Sequence, residues 1–130
     1  MVLIFFLSAQ TAQQSTEQSS AVVDFLNSIF SSGATNFIVR KSAHFLEFAL
    51  LAFLFGFALF CNSARAVFIK AVALTSAYAA TDEIHQLFVA GRSCQITDWL
   101  IDSAGAAAGA AAFIAAAFIL SRLKKKRKTD

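Results

Sequence analysis

Several ionisable and polar side chains crowd together in a chain that is otherwise apolar. Asp82, Glu83, His85 and Gln86 are near neighbours, Arg92 follows Gly91, and Asp98 and Asp102 come next. Upstream, Lys41, His44 and Glu47 recur at intervals of three. Histidine titrates nearest to neutrality, so His85 or His44 can serve as acid or base, with Asp82 or Asp98 orienting the ring. Arg92 and Lys41 supply cations for a phosphate or carboxylate. Glu83, Gln86, Glu47 and Asp102 complete the set as polar contacts to a substrate. No serine or cysteine has an evident activating partner, which disfavours covalent catalysis.

These groups are expensive where they stand. An Asp at the centre of a membrane helix costs roughly 2.5–3.5 kcal/mol, and less near an end. Such residues face a bundle interior or a wet cavity and mark a working site. The composition supports a membrane setting. Hydrophobic residues make up 58% of the 130 residues and charged ones 15%, against about 25% charged in a soluble domain. Fifteen Phe and no Pro suit helices without proline breaks.

The net charge of +3 comes from the tail. Arg122, Lys124, Lys125, Lys126, Arg127 and Lys128 stand there, and the rest of the chain is slightly acidic. Nucleic acid is therefore a poor partner. A short basic run after an apolar helix reads as a topology signal on an anionic cytoplasmic leaflet. Cys61 and Cys94 have no metal-ligand spacing and indicate no disulfide framework.

The elements that must position the polar set follow from the apolar pattern. Residues 1–7 are too short to span, since about 20 are needed. They read either as a short membrane-dipping segment or as part of a first transmembrane helix. The Gln-, Ser- and Thr-rich stretch 8–20 reads as an exposed loop. Val22, Phe25, Leu26, Ile29 and Phe30 recur at helical spacing, which predicts an amphipathic surface helix over 21–30. A turn with Gly33 covers 31–36. Three stronger helices are expected over 42–60, 64–88 and 96–120, with a tight connection at Asn62-Ser63 and a turn at 91–93. The expected fold is an all-α, multi-pass transmembrane bundle: one domain over 1–130 with three full spans, a short N-terminal membrane segment and an amphipathic helix.

A cytoplasmic tail over 121–130 places the polar set on the outer face. Arg65 and Lys70 then fall inside, as the charge rule prefers, while Arg40 and Lys41 fall outside and call for acidic partners. At about 100° per residue, Arg40, Lys41, His44 and Glu47 share one arc. Asp82, Glu83, His85 and Gln86 occupy neighbouring directions. Asp98, Asp102, Gly105 and Gly109 form a stripe. Three polar faces at similar depth imply a small charged pocket.

Plainer readings stand beside this one. Gly105 and Gly109 fit close helix packing. Glu47 with Lys41 or Arg40 fits a structural ion pair. His44 alone fits a hydrogen-bonded interior residue. His85 among Asp82, Glu83 and Gln86 is harder to explain as structure alone.

The pattern Lys41-x-x-His44-Phe45-x-x-Phe48, Asp82-Glu83-x-His85-Gln86-x-Phe88, Gly91-Arg92, Asp98 and Gly105-x-x-x-Gly109 resembles the VanZ-like family of small bacterial membrane proteins. Ser8-x-Gln10 and the serines after it fit the same likeness. Ala90 departs from it, because the family commonly has Pro before Gly-Arg. The resemblance implies a bacterial inner-membrane protein associated with resistance to teicoplanin-type glycopeptides, whose targets are cell-wall precursors outside the membrane.

Three functions compete. One is an envelope factor acting on a lipid-linked or wall-associated substrate, with membrane lipid as a partner and no cofactor. A second is a metal-dependent site using His44, His85, Glu47, Asp82, Glu83 and Asp98, although the spacing fits no named metal motif. A third is a proton or ion pathway or a helper subunit. Three helices are thin for a transporter unless the chain forms a homo-oligomer.

Overall fold

The computed structural model describes residues 1–30, 35–62 and 66–127; of Val2, Leu3, Ile29 and Phe30 only the backbone is described. Five helices account for most of them: α1 (Val2–Ser8), α2 (Ala12–Phe30), α3 (Asn36–Cys61), α4 (Val67–Gln86) and α5 (Ile96–Lys126). The described residues contain no strand.

Helices α3 and α5 run parallel, with α4 antiparallel to both. Lys41 pairs with Asp98, the Phe45 backbone abuts Gly105, and Gly56 meets Phe113, so residue numbers on α3 and α5 rise together. Along α4 they run the other way. Ser76 and Ser103 hydroxyls are 2.7 Å apart, while Glu83 reaches Gln95 at the start of α5. The N-termini of α3 and α5 and the C-terminus of α4 therefore meet at one end. The polar residues gather there.

Contact between α3 and α5 is made through backbone. A Cβ on Gly105 would strike the carbonyl oxygen of Phe45, and one on Gly109 that of Ala49. Glycine is required at both positions because no side chain fits between the helices. Ala52 of α3 and Ala106 and Ala110 of α5 continue the narrow seam, and Ala71 of α4 packs against them.

Large side chains lie outside. Leu46, Leu50, Leu54 and Phe57 form a stripe along α3, each 53–64% exposed. Within, Asp82, Glu83, Gln86, Asp102 and Thr75 are buried. Small and polar groups inside with large apolar groups outside reverse the order of a water-soluble domain. In the most apolar 18-residue window only 22% of α3 and 28% of α5 is buried, so neither is the core helix of a soluble domain.

Local signals set the boundaries. Thr35 caps α3 by accepting from the Ile38 N–H, and the Asn62 side chain donates back to the Ala58 carbonyl. Gly91, at φ 75°, turns the chain between α4 and α5.

The main departure from expectation is α2, which begins at Ala12 rather than near residue 21. Thr11 and Gln14 cap one another: the Gln14 N–H donates to the Thr11 hydroxyl and the Thr11 N–H to the Gln14 amide oxygen. This reciprocal capping box starts a helix in a stretch whose composition suggests a loop. Thr16, Ser20 and Ser28 then donate to carbonyls three or four residues back, which removes their competition with the helix. Val22 and Phe25 stay exposed, as an amphipathic surface helix requires.

Helix α1 lies against α4 and α3. Tyr78 donates to the Met1 carbonyl, and Ile4 packs with Phe48, Leu51 and Ala79. Helix α5 runs on through the first basic residues of the tail to Lys126. Among the described residues two helices, α3 and α5, are long and apolar enough to cross a membrane. The third expected span, α4, carries Lys70, Asp82 and Glu83 and lacks that apolar run. Gly33, Ser63 and Arg65 lie outside the described residues, so the turn at 31–36, the Asn62-Ser63 connection and the placement of Arg65 are not described.

Candidate functional site

A cavity of about 190 Å³ opens where α1 and α2 meet the polar end of the bundle. Arg40, His44 and Glu47 line it from α3, Asp82 from α4 and Arg92 from the following turn. Ser8, Gln10, Ser15, Gln18 and Ser19 line the opposite wall. Ile4, Leu7, Val22 and Val39 give it an apolar side. A second cavity of about 70 Å³ shares Arg40, His44 and Arg92 and reaches Gln95 and Asp98.

The arc on α3 divides between two tasks. Arg40, His44 and Glu47 face the larger cavity. Lys41 turns away from it to pair with Asp98, with its ammonium 5.3 Å from the Phe37 ring centroid. Behind His44 stands Asp102, whose carboxylate oxygen is 3.7 Å from the imidazole Nδ1. That separation is too long for a direct hydrogen bond. Asp102 is fully buried and neither of its oxygens has a partner.

The residues of the α4 motif diverge. Asp82 lines the cavity and accepts a hydrogen bond from the Gln86 side chain at 3.2 Å. Glu83 accepts from the Gln95 N–H at 2.9 Å, where its charge suits the N-terminus of α5. His85 stacks on Phe5 at 4.7 Å between ring centroids, and its buried Nδ1 has no partner. It does not line either of these cavities.

Ala90 and Gly91 hold the Arg92 turn against α2. The Ala12 N–H donates to the Ala90 carbonyl, and a Cβ on Gly91 would meet the Ala12 methyl at 3.0 Å. Burial, then the charge of Arg40, lowers the Arg92 pKa from its ordinary value. The guanidinium remains a cation all the same. Its Nε is buried without a partner.

The structure thus gathers His44, Glu47, Asp82 and Arg92, and sets Lys41, Glu83, His85, Asp98 and Asp102 around or behind them. Arg40 belongs to the cavity wall, although the sequence suggested only an ion-pair role for it. The serines of α1 and α2 also contribute. Ser15 and Ser19, one helical turn apart, were the available signal. Among the described residues no three His, Cys, Asp or Glu side chains converge as ligands of a metal ion would.

Apolar exterior, small-residue seam and buried charges together define a small helical membrane protein with a polar cavity at one end. Within that class the chain belongs to the VanZ/LLP1 family, whose profile matches residues 1–120. No curated protein and no solved structure gives a significant match.

Proposed function

We propose that this protein is a multi-pass protein of the bacterial inner membrane whose cavity binds a lipid-linked or wall-associated substrate at the outer face, with an effect on glycopeptide sensitivity. The observation that carries the reading is the cavity itself: charged groups from three separate segments line a space that also has an apolar side. Two parallel helices that both cross a membrane require the chain to return between them. Helix α4 lies in that return, and its 20 residues make about 30 Å of helix, enough to cross. Its charged end is sheltered by α3 and α5. The basic end of α5 faces the cytoplasm, which puts the cavity at the outer leaflet.

In this reading Arg92 and Arg40 hold the anionic part of the substrate, and Lys41 holds Asp98 instead. Any acid–base step falls to His44, backed by Asp102, rather than to His85. The test is complementation. In a strain lacking the native protein, teicoplanin sensitivity and surface binding are measured with wild type and with Arg92→Gln, each normalised to protein in the membrane. The variant is expected to behave like the empty vector at equal abundance. Wild type that leaves both measurements at the empty-vector level would sink the glycopeptide part of the reading.

A further inference from the structure

The larger cavity carries charges of both signs in equal number. Arg40 and Arg92 contribute two cations, and Glu47 and Asp82 two carboxylates. They do not neutralise one another by contact. Lys41 pairs with Asp98, and the His44 imidazole stands 3.7 Å from Asp102; neither contact involves these four groups. Asp82 has Gln86 as a neutral partner, while the buried Nε of Arg92 has none.

That arrangement discriminates among ligands. A simple anion drawn to Arg40 and Arg92 would also meet Glu47 and Asp82. A simple cation would meet the arginines. A ligand with one charge of each sign, a few bonds apart, satisfies both pairs. The cavity's size narrows the choice. At about 190 Å³ it falls below the range of roughly 300–1,000 Å³ for drug-sized ligands. That volume suits a single phosphate-and-amine headgroup. Ile4, Leu7, Val22 and Val39 on the same cavity give an acyl chain apolar contact.

We propose that the cavity holds the headgroup of a zwitterionic phospholipid bearing a primary ammonium, with the phosphate on Arg40 and Arg92 and the ammonium between Glu47 and Asp82. This rests on the reading of the cavity as a site for a lipid-borne substrate and names the lipid class. The lowered Arg92 pKa agrees: burial is its main cause and the charge of Arg40 the next, and a bound phosphate offsets both.

The experiment measures binding to the purified full-length chain in detergent by native mass spectrometry. Three probes are compared: dihexanoyl phosphatidylethanolamine, dihexanoyl phosphatidylglycerol and water-soluble phosphoethanolamine. The first is expected to bind about tenfold tighter than either of the others. Glu47→Gln should remove the preference between the two lipids by weakening only the first, and Arg92→Gln should weaken both. Asp82→Asn and Arg40→Gln replace these variants if either elutes as aggregate, with the same expected results. Equal binding of the two lipids by wild type, or a preference untouched by the carboxylate variants, overturns the zwitterion assignment while arginine-dependent lipid binding keeps the cavity as a lipid site. Equal binding of soluble phosphoethanolamine overturns the lipid source. Lipid binding indifferent to every variant overturns both this proposal and the lipid reading beneath it.

Discussion

The Asp102 carboxylate lies 3.7 Å from His44 Nδ1, across the seam between two parallel helices, with no hydrogen-bond donor on either oxygen. A fully buried carboxylate without donors destabilises the fold that contains it. Asp102→Asn removes the charge and keeps the shape. It is expected to leave the thermal midpoint of the purified protein unchanged or higher while abolishing the envelope phenotype. A lower midpoint, with loss of protein from the membrane, would make the His44–Asp102 pair structural.

Lys41 and Asp98 should behave in the opposite way. Both side chains are about 85% buried, with relative exposures of 14% and 15%. Removing one strands the other, at roughly 3–5 kcal/mol for a buried pair. Lys41→Ala and Asp98→Ala are therefore expected to deplete the protein from membranes in quantitative immunoblots. The double variant Lys41→Met/Asp98→Leu should restore abundance, since a well-packed apolar pair can replace a buried ion pair. Singles at wild-type abundance would show that the pair does not hold the helices.

The two histidines are expected to separate. His44 lines the cavity, whereas His85 stacks on Phe5. With abundance equalised, His44→Gln should abolish the phenotype and His85→Phe should retain most of it. Loss in His85→Phe with full activity in His44→Gln would reverse the assignment of the acid–base group.

Topology can be read from native cysteines. Cys61 ends α3 and Cys94 sits in the turn before α5, at opposite ends of the bundle, and both are free and exposed. An impermeant thiol reagent applied to intact cells should label Cys94 and spare Cys61. Labelling of Cys61 alone would place the cavity on the cytoplasmic side.

Glycine substitutions should grade by what they strike. Gly109→Ala meets the Ala49 carbonyl, which is backbone and cannot rotate away. Gly56→Ala meets the Phe113 ring at 2.8 Å, and a ring can shift. Overpacking costs about 1–3 kcal/mol and sometimes more. Gly109→Ala should lower the thermal midpoint further than Gly56→Ala; the reverse order would contradict the backbone contact.

Spacing on a single helix revealed much of this and could not reveal the rest. The stripe Asp98, Asp102, Gly105, Gly109 needed only the helical repeat, and it faces α3 as that repeat implies. The division of Arg40 from Lys41, and of Asp82 from His85, depends on which neighbouring helix each side chain meets. Adjacent residues on one helix point about 100° apart, so a one-residue difference sends Lys41 to Asp98 and leaves Arg40 in the cavity. The early start of α2 was legible in Thr11-x-x-Gln14, but the polar composition of 8–20 outweighed it. No composition rule could have placed α2 as a cavity wall, because that depends on a contact between Ala12 and Ala90, far apart in sequence.

The glycine seam also acts as a ruler. Gly105 and Gly109 rest on the carbonyls of residues spaced by the same four positions on α3, so the two helices are keyed at both marks. A slip of one turn would carry Asp102 about 5.4 Å away from His44. Alignment of the buried groups is thus set by main-chain contact, one turn beneath the site, and owes little to the large side chains outside. The exterior stripe Leu46, Leu50, Leu54 and Phe57 is therefore free to drift among apolar residues as the surrounding bilayer changes in thickness or composition, while the spacing between acid and imidazole stays fixed.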